Sequence, residues 1–217
     1  SPELAAEMVR AEWGLGDRSV SNMVHLLESK GVRVFGLAQD CRELGANSFY
    51  RGATPFVLLN QQNSPEVCRF DAAHELGHLV LHTEGAAQGR MAEYEANRLA
   101  AAFLMPKRAI TQTPRLFSPA QIIQLKAMWN VPALALTRRL YSLGILTERR
   151  YRYLCIELSK KGFRTREPGA TRWEGSQLLS KVFEMLRADG VERQQVATDL
   201  RIHPEDLEGL LLGLTLG

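Results

Sequence analysis

Cysteine, histidine and long apolar runs are all scarce in this chain of 217 residues, and each scarcity excludes something. The cysteines Cys41, Cys68 and Cys155 are too scattered for a disulfide framework or a zinc ribbon. That spacing points to a reducing, cytoplasmic compartment. No uninterrupted apolar run approaches the roughly 18 residues that a membrane span needs. No basic stretch followed by an apolar one marks a secretory leader. What remains is an apolar fraction of 45% with 24% charged residues, ordinary for a soluble globular protein.

Two features are unevenly spread. Three of the five histidines, His74, His78 and His82, fall close together. The formal net charge of +3 conceals a basic stretch from Arg138 to Arg172, with 10 basic and 3 acidic residues. Everything else is net acidic, 17 against 21.

Patterning predicts helices over about 3–13 and from Asp17 to Lys30, the second capped by Ser19 and stopped by Gly31. Strands are expected at 32–37, 49–51 and 55–59, with a loop from Asp40 to Asn47. Ser64-Pro65-Glu66 is a strong helix start: a capping hydroxyl, a proline at the first position and an acid in the first turn. That helix should reach His82 and give way to a polar run from Thr83 to Arg90. Further helices are predicted at 91–105, 118–129, 131–143 and 147–159. A basic linker from Lys160 to Trp173 and three short helical patterns follow. The expected domains are a core of 1–110, a helical, helix-turn-helix-like domain of 111–165, and a linker with a C-terminal helical module over 166–217.

The chemistry lies in Phe70-Asp71-Ala72-Ala73-His74-Glu75-Leu76-Gly77-His78. His74 and His78 are four apart, so on a helix they stand one above the other and can share a metal ion. Glu75 is placed to act as general base on water without being a ligand. The surrounding residues leave this helix no clean polar face, so it is buried. Two imidazoles and a carboxylate buried without partners would cost several kcal/mol, which a metal removes.

A catalytic zinc usually has three protein ligands. The third is expected from the next helix, where Glu93, Ala96, Asn97, Ala100 and Leu104 form one stripe. Glu95 lies about 200° around the axis from Glu93, so both acids cannot face one ion. The small residues beneath Glu93 would let the two helices approach closely, making Glu93 the better ligand and Glu95 a surface charge. Asn97 and Asp71 are both candidates to fix the tautomer of a ligating histidine. Tyr94, His82, Tyr50 and Arg51 are open alternatives as oxyanion donors. The strand 55–59 is a candidate edge for an extended substrate, though its apolarity suits sheet core equally.

The run RFDAAHELGHLVLH followed by EYEANRLAAAFLMP resembles the ImmA/IrrE metallopeptidases of bacteria and their mobile elements. The resemblance extends to LLESKGVRVFGL, PFVLLN and LKAMWNVPALALTRRLYSLGIL, most of the chain. It is most similar to the branch in which the peptidase is joined to an upstream helix-turn-helix domain; that domain is absent from this sequence, consistent with its start at Ser1. It implies an α+β, zincin-like core with a gluzincin-type site: His74, His78 and Glu93 as ligands and Glu75 as general base. It also implies a substrate class, helix-turn-helix repressors cut to derepress stress or mobile-element genes. Leu99 departs from the Phe that many members carry. Zinc is the expected metal, and Mn2+ or Fe2+ also suits two histidines and a carboxylate. The competing reading is a DNA-binding or sensor regulator with a non-proteolytic metal site. It rests on the basic stretch and on a helix-turn-helix outline from Ser118 to Leu143 with Arg138-Arg139 on its second helix.

Overall fold

The computed structural model describes residues 1–37, 45–82, 89–113, 117–163, 167–169 and 171–211. Cys41, most of the loop expected from Asp40 to Asn47, most of the run from Thr83 to Arg90 and part of the basic linker lie outside them. The elements run α1 (Pro2–Glu12), α2 (Met23–Ser29), β1 (Arg33–Gly36), β2 (Asn47–Arg51), β3 (Thr54–Leu59), α3 (Pro65–Leu81) and α4 (Arg90–Leu104). They continue with α5 (Lys107–Thr111), α6 (Pro119–Trp129), α7 (Ala133–Ser142), α8 (Glu148–Lys160), α9 (Gln177–Ala188), α10 (Arg193–Leu200) and α11 (Pro204–Leu210). The fold is α+β.

Two compact units share the chain, and neither is continuous. One comprises Ser1–Ser21 with Asn63–Arg172, the other Asn22–Gln62 with Trp173–Gly217. Boundaries drawn at 110 and 165 both fall inside the first unit, and the last helices belong with the sheet.

In the first unit α3 packs most extensively on α4, and α1 also lies on α4. Helix α3 starts as its sequence predicts, with the Ser64 hydroxyl accepting from the Val67 amide at 3.3 Å and Pro65 in the first turn. Its Ala72, Ala73 and Leu76 are buried, as are Ala96, Leu99, Ala100 and Phe103 of α4. The two backbones meet at Gly77. A Cβ there would stand 2.9 Å from Ala96 Cα and 3.0 Å from its carbonyl oxygen. Helix α4 ends at Pro106, which cannot continue it.

The Arg10 guanidinium anchors α1 by donating to the carbonyls of Phe103 (2.5 Å), Gly16 (2.6 Å) and Arg18 (2.6 Å). Those contacts hold residues 16–18 out of a helix. The second helix therefore begins at Met23, capped by the Asn22 side chain at 2.9 Å, and not at Asp17 with Ser19 as cap.

Helices α6, α7 and α8 pack on one another, and α7 also meets α4. The turn between α6 and α7 places Asn130 at φ 50°, a left-handed conformation that asparagine tolerates. Trp129, Leu136, Leu140 and Leu154 are buried where these helices pack together. Lys126 is buried between Glu66 (2.8 Å) and Glu167 (2.9 Å), and Glu167 also accepts from the Ala133 amide at the start of α7. The lysine thus ties α3 and the end of the basic stretch to α6. Burial alone would raise the Glu66 pKa, but the hydrogen bonds from Lys126 and Thr171 hold it below the usual value.

The second unit holds a three-stranded sheet in the order β1-β3-β2. β3 pairs parallel to β1, with Val34 opposite Val57, and antiparallel to β2, with Ser48 opposite Val57. β3 is therefore the central strand, and the expectation that it offers an edge to substrate is corrected. Its continuous apolarity belongs to a strand flanked on both sides, with Val57 and Leu59 wholly buried. Helix α11 lies against β1 so closely that a Cβ on Gly36 would collide with the Gly209 carbonyl oxygen. Glu28 of α2 caps α9, accepting from the Ser176 hydroxyl and the amides of Gln177 (3.1 Å) and Leu178 (3.2 Å). Phe183, Ala197, Leu207 and Leu211 form the core of the C-terminal helices.

Gly77→Ala gains about 1 kcal/mol of intrinsic helix propensity. Because the added methyl meets backbone, the expected net result is a loss of about 1–3 kcal/mol. Urea unfolding measures it, and equal or greater stability than wild type would contradict the close approach of α3 and α4.

Candidate metal centre

Helix α3 presents His74, His78 and His82 on successive turns, so the three rings stack along one face. His74 and His78 meet edge to face with centroids 4.7 Å apart, and their Nε2 atoms are 3.0 Å apart. From α4, the Glu93 carboxylate reaches both. Its Oε2 is 3.2 Å from His74 Nε2 and its Oε1 is 3.4 Å from His78 Nε2. Among the described residues this is the one group of three His, Cys, Asp or Glu side chains whose ligand atoms lie within 4.8 Å of one another.

These distances can be tested against a metal. Tetrahedral N and O ligands about 2.0–2.1 Å from a zinc ion stand about 3.3 Å from each other. The observed separations of 3.0, 3.2 and 3.4 Å bracket that value. The chemistry of the donors agrees. Burial lowers the pKa of His74, against the opposing pull of Glu93 and of a hydrogen bond that the ring donates to Asn97. His78 is lowered by burial and by the charge of His74. Two imidazoles biased towards neutrality and one carboxylate then aim lone pairs at one point, which a shared cation stabilises.

Asn97 sits one turn after Glu93, where its Nδ2 donates to the Glu93 carbonyl at 2.8 Å while its side chain hydrogen-bonds His74. It thereby joins the ligand helix to the histidine helix. Asp71, the other candidate for that position, hydrogen-bonds Asn63. Glu75 is only 4% exposed, on the turn between His74 and His78. Glu93 is 61% exposed, at the mouth of the group.

The structure reassigns Glu95. Read as a surface charge, it instead faces His82, with Oε2 3.2 Å from Nε2. His82 Nδ1 in turn lies 3.1 Å from His78 Nδ1. A chain Glu95–His82–His78 thus reaches the ring nitrogen of His78 that faces away from Glu93. Sequence reasoning missed it, although the four-residue repeat of His74, His78 and His82 carried the signal. Tyr94 is exposed and carries the Arg98 guanidinium 5.8 Å from its ring centre. Tyr50 and Arg51 belong to β2 of the other unit, both exposed.

Two histidines on one helix faced by a carboxylate from its neighbour form the donor set of a metal-dependent hydrolase. The chain belongs to the peptidase family M78, described as the IrrE N-terminal-like domain, whose model matches residues 27–141, more than half of its length. No curated protein matches it. The family makes this a metallopeptidase with the zincin-like α+β core, acting on protein and using a metal, usually zinc. No described helix is long and apolar enough to cross a membrane.

Burial raises the Asp71 pKa to about 6, only partly offset by the hydrogen bond from Asn63. Its folded pKa lies above the unfolded value, so the folded state keeps the proton longer. Stability therefore falls as pH rises from about 4 to about 6 and stays reduced above that window. Asp71→Asn should raise stability by about 1–2 kcal/mol near neutral pH, and by much less below about pH 4.5. Urea titrations at the two pH values check this, and an equal effect at both would rule it out.

Proposed function

We propose that the protein is a zinc-dependent endopeptidase of the gluzincin type that cleaves a helix-turn-helix repressor in the cytoplasm and so derepresses stress or mobile-element genes. The observation that carries the reading is the convergence of His74, His78 and Glu93 beside Glu75. His74, His78 and Glu93 would hold the ion, and Mn2+ or Fe2+ would suit the same donors. Such an ion, when bound, supplies Lewis acidity to a water and to the scissile carbonyl. Glu75 takes the proton of the attacking water and returns it to the leaving amine. Asn97 orients His74, and the Glu95–His82 pair orients His78. The family resemblance supports a repressor as substrate, and the reduced state of Cys68 and Cys155 suits the cytoplasm.

One of the two arginines behind the nucleic-acid reading is taken up inside the fold. Arg139 is buried, paired with both oxygens of Glu3 at 2.6 and 2.7 Å. Arg150 donates to the Phe117 carbonyl at 2.9 Å. Arg138, the other arginine of that pair, is exposed.

Metal content and cleavage of a cognate repressor test the proposal together. Glu75→Gln should keep its zinc and lose about 100-fold or more in rate. Glu93→Ala should lose the metal, while Glu95→Ala should retain it. Undiminished cleavage by Glu75→Gln would refute the mechanism. Full metal occupancy in Glu93→Ala with loss in Glu95→Ala would transfer the ligand role to Glu95.

A further inference from the structure

A cleft of about 690 Å3 opens in the first unit beside the metal centre. Asn97, hydrogen-bonded to His74, lines it, and so does Phe70, one turn before His74 on α3. The cleft runs from there between α4 and the α7–α8 pair. Its size lies within the range of sites that enclose several side chains of a ligand. Phe70, Ala101 and Leu134 make an apolar side, and Tyr141 and Tyr151, stacked with centroids 4.5 Å apart, line another part.

Charge distinguishes this cleft. Three arginines line it, Arg98, Arg138 and Arg139, and among the described residues no Asp or Glu does. Arg139 is already neutralised by Glu3. Arg98 and Arg138 are exposed, and neither has a carboxylate within 4.0 Å among the described residues. Arg98 is steadied over the Tyr94 ring, which lines the same cleft beside Glu93. A guanidinium presents a planar fork of donors matched to a carboxylate, and one in a partly enclosed site is screened less than one on an open surface.

We infer that this cleft binds an acidic, partly apolar stretch of the polypeptide substrate next to the scissile bond, with Arg98 and Arg138 selecting Asp or Glu side chains. The inference rests on the peptidase reading, and it deepens that reading by naming the substrate's chemistry. Phe70 and Leu134 receive an apolar side chain, and the Arg98 and Arg138 guanidinium groups receive carboxylates on either side of it. Arg138 thereby gives the basic stretch a role inside a concave site, where an extended chain enters and a convex duplex does not.

The test is equilibrium binding to the full chain by fluorescence anisotropy. The probes are a short labelled peptide of Glu, Leu and Ala, the same peptide with Lys at every Glu, and a short DNA duplex as competitor. Wild type should prefer the acidic peptide about 10-fold or more, and R98Q and R138Q should each reduce that preference about 3- to 10-fold. R138E should shift the preference towards the Lys peptide, a gain that misfolding does not produce. Equal affinity for the two peptides, or a preference untouched in both R98Q and R138Q, overturns the inference. Displacement of the acidic peptide by the duplex overturns it too, assigning the arginines to nucleic acid. Cleavage is scored on the same peptides with zinc-loaded protein. Acid-selective binding without cleavage of any substrate leaves the cleft assignment standing and removes the peptidase reading. Cleavage with no acid preference does the reverse.

Discussion

The close approach of α3 and α4 is the constraint on which the site depends. Gly77 has room for only a hydrogen because Ala96 lies against it, and that contact sits beside His78 on one helix and Asn97 on the other. Were the helices held apart by a side chain's width, Glu93 would not span His74 and His78 at 3.2 and 3.4 Å. The small residues Ala72, Ala73, Ala96 and Ala100 extend the same close contact along both helices. Packing here sets the distances among these three side chains directly.

Around this pair, polar groups are satisfied in layers. The histidines lie beneath an exposed glutamate, and Asn97 and the Glu95–His82 pair touch the histidines from outside. Outer hydrogen bonds of this kind hold imidazole rings in one orientation and one tautomer, which a metal site needs before it can be selective. The arginine-lined cleft begins at the same asparagine, so the metal donors and the region assigned to substrate share a wall.

Much of this was legible in the chain because it is local. Ser64-Pro65 starts α3, Pro106 follows α4, and the four-residue spacing of His74 and His78 is a property of any helix. The choice of Glu93 over Glu95 rests on helical phase, and Glu93 is the carboxylate that lies beside His74 and His78. Other features escaped. Helix α2 starts late because Arg10, in another segment, holds the carbonyls of Gly16 and Arg18. Strand β3 is central because β1 pairs with it parallel and β2 antiparallel, which its apolarity allows but does not require.

Two compact units built from interleaved segments mark the limit of sequence reading. Glu28 caps a helix about 150 residues further along the chain, and Lys126 joins Glu66 to Glu167; no periodicity announces either contact. The residues alone determined the element types and the spacing of the histidine pair, because helical spacing and capping act over a few positions. Tertiary structure decided that Glu95 serves His82, that Arg139 is consumed by Glu3, and that Arg98 and Arg138 face one cleft. Those outcomes depend on which distant groups packing brings within a few ångströms, where charge and hydrogen bonding take effect.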